Sequence, residues 1–199
     1  MLVDCRTHYD ALIDENNDSA RDPKPLRDYM DKWDGERFIS SLNLNGDESV
    51  LEIGVGTGRL AVRVAPRCRQ FTGIDLSPKS IERGRENLSN FGNATLLLAD
   101  FLGYPFTDTY DVIYSSLTFM HIKEKQDTVN KSASLLNPGG RFVLSVTKSQ
   151  DTLLDIGTRQ LSIFPTNPDA ILQWAEEAGL QMAERYERDH AHVFVFVRT

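Results

Sequence analysis

Cysteine is nearly absent from this chain: 199 residues hold two, Cys5 and Cys68, with no Cys-x-x-Cys spacing. That excludes a disulfide framework and a cysteine-built zinc site, and it suits a reducing compartment. There is no apolar run near the roughly 18 residues that would suggest a membrane-spanning helix. The first residues, Met1-Leu2-Val3-Asp4-Cys5, resemble neither a basic-then-apolar signal peptide nor an Arg-rich transit peptide. A cytoplasmic protein without a membrane partner is the expectation. Positive charge is also short. Lys plus Arg total 22 against 29 for Asp plus Glu, a formal charge of −7. A general phosphate-backbone binder needs a basic footprint, so nucleic acid is not the expected partner and a small molecule is favoured.

Hydrophobic residues make up 40% of the chain, enough for one sizeable core but not for two ordinary domains. Residues 1–48 read as an N-terminal helical cap. Within them the polar run Asp14–Ser19 and the segment Asp22-Pro23-Lys24-Pro25 interrupt any helix. Beyond Pro25, Leu26, Tyr29, Met30, Trp33, Phe38, Ile39 and Leu42 recur at three- and four-residue spacing, which predicts one or two amphipathic helices.

From residue 49 strands and helices alternate. Strands are predicted over 49–53, 70–74, 94–98, 110–115 and 141–146, and helices over 59–68, 78–91 and 123–136. Ser77-Pro78 offers an N-cap followed by a first-turn proline, and Pro138-Gly139-Gly140 turns the chain into the fifth strand. Repeated strand–helix units with Val/Ile/Leu-rich strands mean a parallel sheet covered on both faces. A helix over 168–178 then precedes strands over 180–187 and 191–197. Only three residues join those last strands, so they must be antiparallel. The expected fold is α/β: a doubly wound, seven-stranded, mostly parallel sheet with one antiparallel C-terminal strand, spanning 49–199. The connection 148–167 is long and carries six large apolar residues, which suits a lid or substrate wall, or a hairpin about Gly157.

The main chemical signal is Glu52-Ile53-Gly54-Val55-Gly56-Thr57-Gly58-Arg59, a strand running through spaced glycines into a helix. Such glycines let a ligand approach the backbone closely at a helix N-terminus. A dinucleotide fingerprint wants its third glycine at the sixth position, where this loop has Arg59. The second strand ends at Asp75, placed to accept hydrogen bonds from ribose hydroxyls, and the third at Asp100. With Glu52 these acids predict one acidic rim outside the carboxyl ends of the strands. A rim of that sign repels pyrophosphate and welcomes a cationic nucleoside.

On these motifs the sequence resembles the class I S-adenosylmethionine-dependent methyltransferases, in their small single-domain branch. Glu52–Gly58 is similar to the family's first motif, which holds the methionine portion of the cofactor. Asp75 matches its ribose-binding acid, Leu76 the apolar neighbour of the adenine, and Asp100-Phe101 the pair that bonds and flanks the adenine. The run Asp111–Ile122, which includes Ser115, is similar to the fourth-strand motif, and Leu135–Phe142 to the turn entering the fifth strand. The resemblance implies a Rossmann-like methyltransferase fold and S-adenosylmethionine as cofactor, with Glu52, Gly54, Gly56, Gly58, Asp75, Leu76, Asp100, Phe101 and Ser115 around it.

His121, just past the fourth strand, is the best-placed general base, needed only where the acceptor must lose a proton. Asp111 starts that strand and reads as structural. His8 and Tyr9 belong to the cap and read as exposed helix residues or a closing contact. Tyr9, Tyr29, Trp33 and Phe119 are candidates for an acceptor pocket. His190 and His192 share one strand face, and without a Cys, Asp or Glu partner they predict no metal site. The expected activity is methyl transfer from S-adenosylmethionine to a small-molecule acceptor. The rivals are a nicotinamide oxidoreductase and a non-catalytic protein that binds the same nucleoside.

Overall fold

Strand residues alternate between two buried faces with the period of two that a pleated strand imposes. Val50, Val112, Tyr114, Val143, Val193 and Val195 pack into one core, Leu51, Ile53, Ile113, Phe142, Leu144, Phe194 and Phe196 into another. In the computed structural model, which describes all residues from Met1 to Thr199, these faces belong to one seven-stranded sheet. Its strands are β2 (Ser49–Ile53), β3 (Gln70–Asp75), β4 (Ala94–Leu98), β5 (Tyr110–Ser115), β6 (Leu136–Thr147), β9 (Leu180–Glu187) and β10 (Ala191–Arg198). They lie in the order β4-β3-β2-β5-β6-β10-β9. The first five are parallel, and β10 alone runs against its neighbours. The sheet is thus the one expected.

Helices α4 (Ala61–Val64), α5 (Pro78–Asn87), α6 (Lys125–Leu135) and α7 (Pro168–Glu177) supply the crossovers and covers. The helix expected over 59–68 is short because Pro66 has no amide hydrogen to donate; a 3-10 turn, Ala65–Arg67, follows instead. Ser77 caps α5 by accepting from the Ser80 amide at 3.0 Å. Residues 137–140 bulge from β6, whose pairing with β5 steps from Leu136 to Arg141. Gly140 is required there, since a β-carbon would meet the Asn137 carbonyl at 2.7 Å.

The N-terminal segment is less uniform than a helical cap. It contains a two-residue strand, β1 (Leu2–Val3), and three helices, α1 (Cys5–Asp14), α2 (Lys24–Met30) and α3 (Gly35–Ser41). Helix α3 is no cap: Phe38, Ile39 and Leu42 are buried in the main core. The connection 148–167 is a hairpin, β7 (Leu153–Asp155) and β8 (Gln160–Ser162), turning at Gly157 with φ +84°. Strand β1 adds to β8 in parallel, making a second, three-stranded sheet. Arg159, buried in this hairpin, donates to Nδ1 of His8 at 3.2 Å and pairs with Glu15 at 2.5 Å, so the hairpin and α1 are bound together. No helix is long and apolar enough to cross a membrane.

Candidate functional site

A cavity of about 500 Å³ opens outside the carboxyl ends of β2, β3, β4 and β5. That is where ligands sit in open parallel sheets, and the volume suits a nucleoside with a small second molecule. The glycine loop makes its base. Gly54, Gly56 and Gly58 all have positive φ, +78°, +53° and +93°. Their reasons differ. A β-carbon on Gly54 would overlap the side chain of Thr118, whereas one on Gly56 would meet nothing within 4 Å and project into open space. Gly54 is therefore demanded by packing, and Gly56 leaves a cradle beside the cavity. Gly58 faces Leu88 and Ala61 and does not line it.

Asp75 organises the loop from the end of β3. One carboxylate oxygen accepts from the Gly56 amide and the other from the Ser77 amide, both at 2.9 Å. Each oxygen keeps a further lone pair for a ligand hydroxyl. Leu76 beside it is 40% exposed, an apolar surface at the cavity wall. Asp100 accepts from the Gly103 amide at 2.8 Å, and Phe101 is buried against the second core while still lining the cavity.

Glu52 departs from the expected rim. It lies inside β2 opposite Tyr114 of β5, is 4% exposed, and accepts from the Tyr114 hydroxyl at 2.7 Å. Burial pushes its carboxyl up to about 8. It forms a floor to the cavity, not an edge. Ser115 lies outside the cavity: its buried hydroxyl donates to the Ile53 carbonyl at 3.0 Å and ties β5 to β2.

Arg59 reaches the cavity, but its charge is engaged. Its guanidinium pairs with Asp34, which is fully buried, and lies 3.7 Å from Asp31. Asp34 also accepts from the Gly35 amide and the Ser116 hydroxyl, each at 2.6 Å. This network leaves no free cation at the glycine loop for a pyrophosphate. The cavity is lined by four acids, Asp22, Glu52, Asp75 and Asp100, and by two arginines, Arg6 and Arg59. Asp22, Asp31 and Asp34 carry no motif signal; only their proximity to Arg59 in space reveals them.

On the opposite side stand α1, α2 and the hairpin. Tyr9 and Tyr29 line the cavity, as do Leu26, Leu154 and Ile156. Trp33 does not: its ring packs 4.6 Å from that of His190. Phe119 is buried in the core. His8, one of two cap residues expected at the surface, is 3% exposed. Tyr9 meets His121 across the cavity wall, hydroxyl to Nε2 at 2.8 Å. Burial, helped by His8 and Lys125, lowers His121 to about 4, and its Nδ1 is buried with no partner. Leu117, two residues past β5, holds φ +59°, a left-handed conformation that costs a bulky residue on the order of 1–3 kcal/mol.

Asp111 is structural, accepting from the Ser49 amide and hydroxyl and from Asn137. His190 lies in the turn before β10 and His192 bonds Glu187 at 2.7 Å, so the two rings do not share a site.

Residues 50–140 match the model of a methyltransferase domain family. An uncharacterized methyltransferase of Geobacillus kaustophilus is 35% identical over 127 residues, covering 62% of this chain and 58% of that protein. The chain thus spans less than two thirds of that relative's length. One from Schizosaccharomyces pombe is 28% identical over 200 residues, covering 85% of this chain and 70% of the other. Among solved structures, the magnesium protoporphyrin IX methyltransferase of Synechocystis with bound S-adenosylmethionine has a TM-score of 0.76 at 17% identity. It covers 98% of this chain and 95% of its own. Glycine loop, strand-end acids and sheet order agree with these likenesses: residues 50–140 carry the match to a methyltransferase domain, set in the fold of solved S-adenosylmethionine-dependent methyltransferases.

Proposed function

We propose that this protein transfers the methyl group of S-adenosylmethionine to a small-molecule acceptor with an apolar body, with His121 at the cavity wall as the base where that acceptor must lose a proton. One observation carries the cofactor half of the reading. With Glu52 largely protonated and Arg59 paired with Asp34, the cavity keeps three acids, Asp22, Asp75 and Asp100, against one unpaired arginine, Arg6, which suits a cationic nucleoside better than a pyrophosphate. S-adenosylmethionine supplies an activated methyl on sulfur, so the protein's work is alignment, worth roughly 7–11 kcal/mol of barrier in favourable cases.

In this reading the backbone around Gly54 and Gly56, above Glu52, receives the methionine end. Asp75 accepts from the ribose, and Leu76, Asp100 and Phe101 bound the adenine. The acceptor half rests on the other wall. Leu26, Tyr29 and Ile156 line the cavity yet stay 50%, 49% and 37% exposed, an apolar mouth made by α2 and the hairpin. His121, kept neutral by burial, retains a lone pair on one ring nitrogen at neutral pH. That lone pair can take the proton an acceptor gives up.

Calorimetric titration with S-adenosylmethionine, S-adenosylhomocysteine and NAD, run in parallel, tests the cofactor half. Micromolar binding of the first two, without NAD, is expected. Binding of NAD alone would overturn the reading and leave the fold standing. A screen of apolar phenols, amines and carboxylic acids with labelled methyl donor then tests the acceptor half.

A further inference from the structure

Lys125 is the first residue of α6, yet it is only 7% exposed. Its ammonium donates to the carbonyls of Phe119 at 2.6 Å and Ile122 at 2.9 Å, and stands 4.7 Å from the centre of the Phe119 ring. It has no carboxylate partner.

The arrangement is unfavourable for the helix itself on two counts. A buried charge without a counter-ion is costly. A cation in the first turn also faces the positive end of the helix dipole. Glu124, at the cap position, makes no capping hydrogen bond with its side chain. The first turn does hold an acid, Asp127, but no side chain caps it, so Lys125 is not explained by the needs of α6.

The two carbonyls explain the lysine. They belong to the 3-10 turn Phe119–His121 and to Ile122, which closes it. The Phe119 carbonyl already accepts from the Ile122 amide at 3.3 Å and the Ile122 carbonyl has no backbone donor; Lys125 bonds both. Between them in sequence stands His121, with its backbone amide bonded to Thr118 and its Nε2 to Tyr9. The imidazole is therefore held from one side through its ring and from the other through its backbone.

We propose that Lys125 is a positioning residue for methyl transfer: its ammonium clamps the carbonyls flanking His121 and thereby sets the imidazole against the acceptor. This rests on the reading of His121 given above. The groups facing His121 are Tyr9 and His8 from α1 and Lys125 from α6, with Arg159 of the hairpin behind His8. No carboxylate bonds the ring. The positive charge of Lys125 also disfavours a second proton on His121.

The test follows the His121 imidazole by NMR from pH 5 to 8 in the 15N-labelled full chain and in Lys125→Met, with S-adenosylhomocysteine binding measured alongside. In the parent the ring stays neutral over this range. In Lys125→Met its proton affinity is expected to rise and its Nε2 signal to shift as the Tyr9 contact loosens. Affinity for S-adenosylhomocysteine is expected to change by less than twofold. An unchanged His121 signal in the folded variant overturns the proposal. Lys125→Gln, which keeps a donor without the charge, serves if Lys125→Met does not fold. It should preserve the Tyr9 contact while raising the proton affinity, and no change in either overturns the proposal equally. Failure of the parent to bind S-adenosylhomocysteine would instead strike the proposed function, and the two results are read separately.

Discussion

The Tyr9 hydroxyl and Nε2 of His121, 112 residues apart, meet at 2.8 Å and join the first helix to the turn beyond β5. Their rings stand edge to face, centroids 5.4 Å apart. Tyr9→Phe removes the hydroxyl and leaves a buried ring nitrogen without a partner. That should destabilise the fold by about 1–3 kcal/mol in urea denaturation, with S-adenosylhomocysteine affinity little changed. Equal stability of the variant would mean that the pair does not form.

The low basicity of His121 makes stability depend on pH. An imidazole in the unfolded chain takes its proton below about 6.5, whereas the folded ring resists until about 4. Between those values the unfolded chain binds more protons, so stability is full above 6.5 and falls as pH drops toward 4. The loss from pH 7 to pH 5 should be about 2 kcal/mol from this residue. His8, lowered for the same reason, adds in the same direction. His121→Gln should flatten the slope in denaturation curves at the two pH values.

Two glycines of one loop should respond differently to alanine. At Gly54 the added methyl would collide with Thr118, and φ +78° is strained for alanine, so a loss of at least about 2 kcal/mol is expected. Thr118→Ala in the same chain should recover part of it. At Gly56 the methyl projects into open space, so stability should fall by only about 1 kcal/mol, the left-handed backbone cost. Ligand affinity should drop much more. Thermal melts and calorimetry separate the two.

Asp75→Ala removes a carboxylate that holds two loop amides and still has lone pairs to offer. Binding of S-adenosylhomocysteine should weaken by roughly 1–3 kcal/mol, about 5- to 150-fold. Unchanged affinity would mean that the ribose lies elsewhere.

Glu52 is held largely protonated at neutral pH, because burial raises it to about 8. A cationic ligand nearby favours its ionised form. Binding of S-adenosylmethionine at pH 7 should release a fraction of a proton, seen as binding heat that varies with buffer ionisation enthalpy. Glu52→Gln should abolish the variation.

The sequence by itself determined the strands of the sheet, the glycine loop and the acids that end β3 and β4. Those features are local: strand period, capping chemistry and positive-φ turns act over a few residues, so they are written in consecutive letters. The antiparallel β10 was legible too, because three residues cannot make a crossover. Only the tertiary structure decided the rest. A two-residue strand such as β1 has no periodicity to read and exists because β8 lies beside it. Ser115 carries the same motif letters whether it faces a ligand or the Ile53 carbonyl, and packing of β5 on β2 chose the latter. Arg59 is a free cation or a neutralised one according to where Asp34 arrives, 25 residues away. His8 is an exposed helix residue or a buried one according to whether Arg159 closes over it. Each depends on side chains distant in sequence that burial brings together. In that low-dielectric interior partners are obligatory, and no local pattern encodes them.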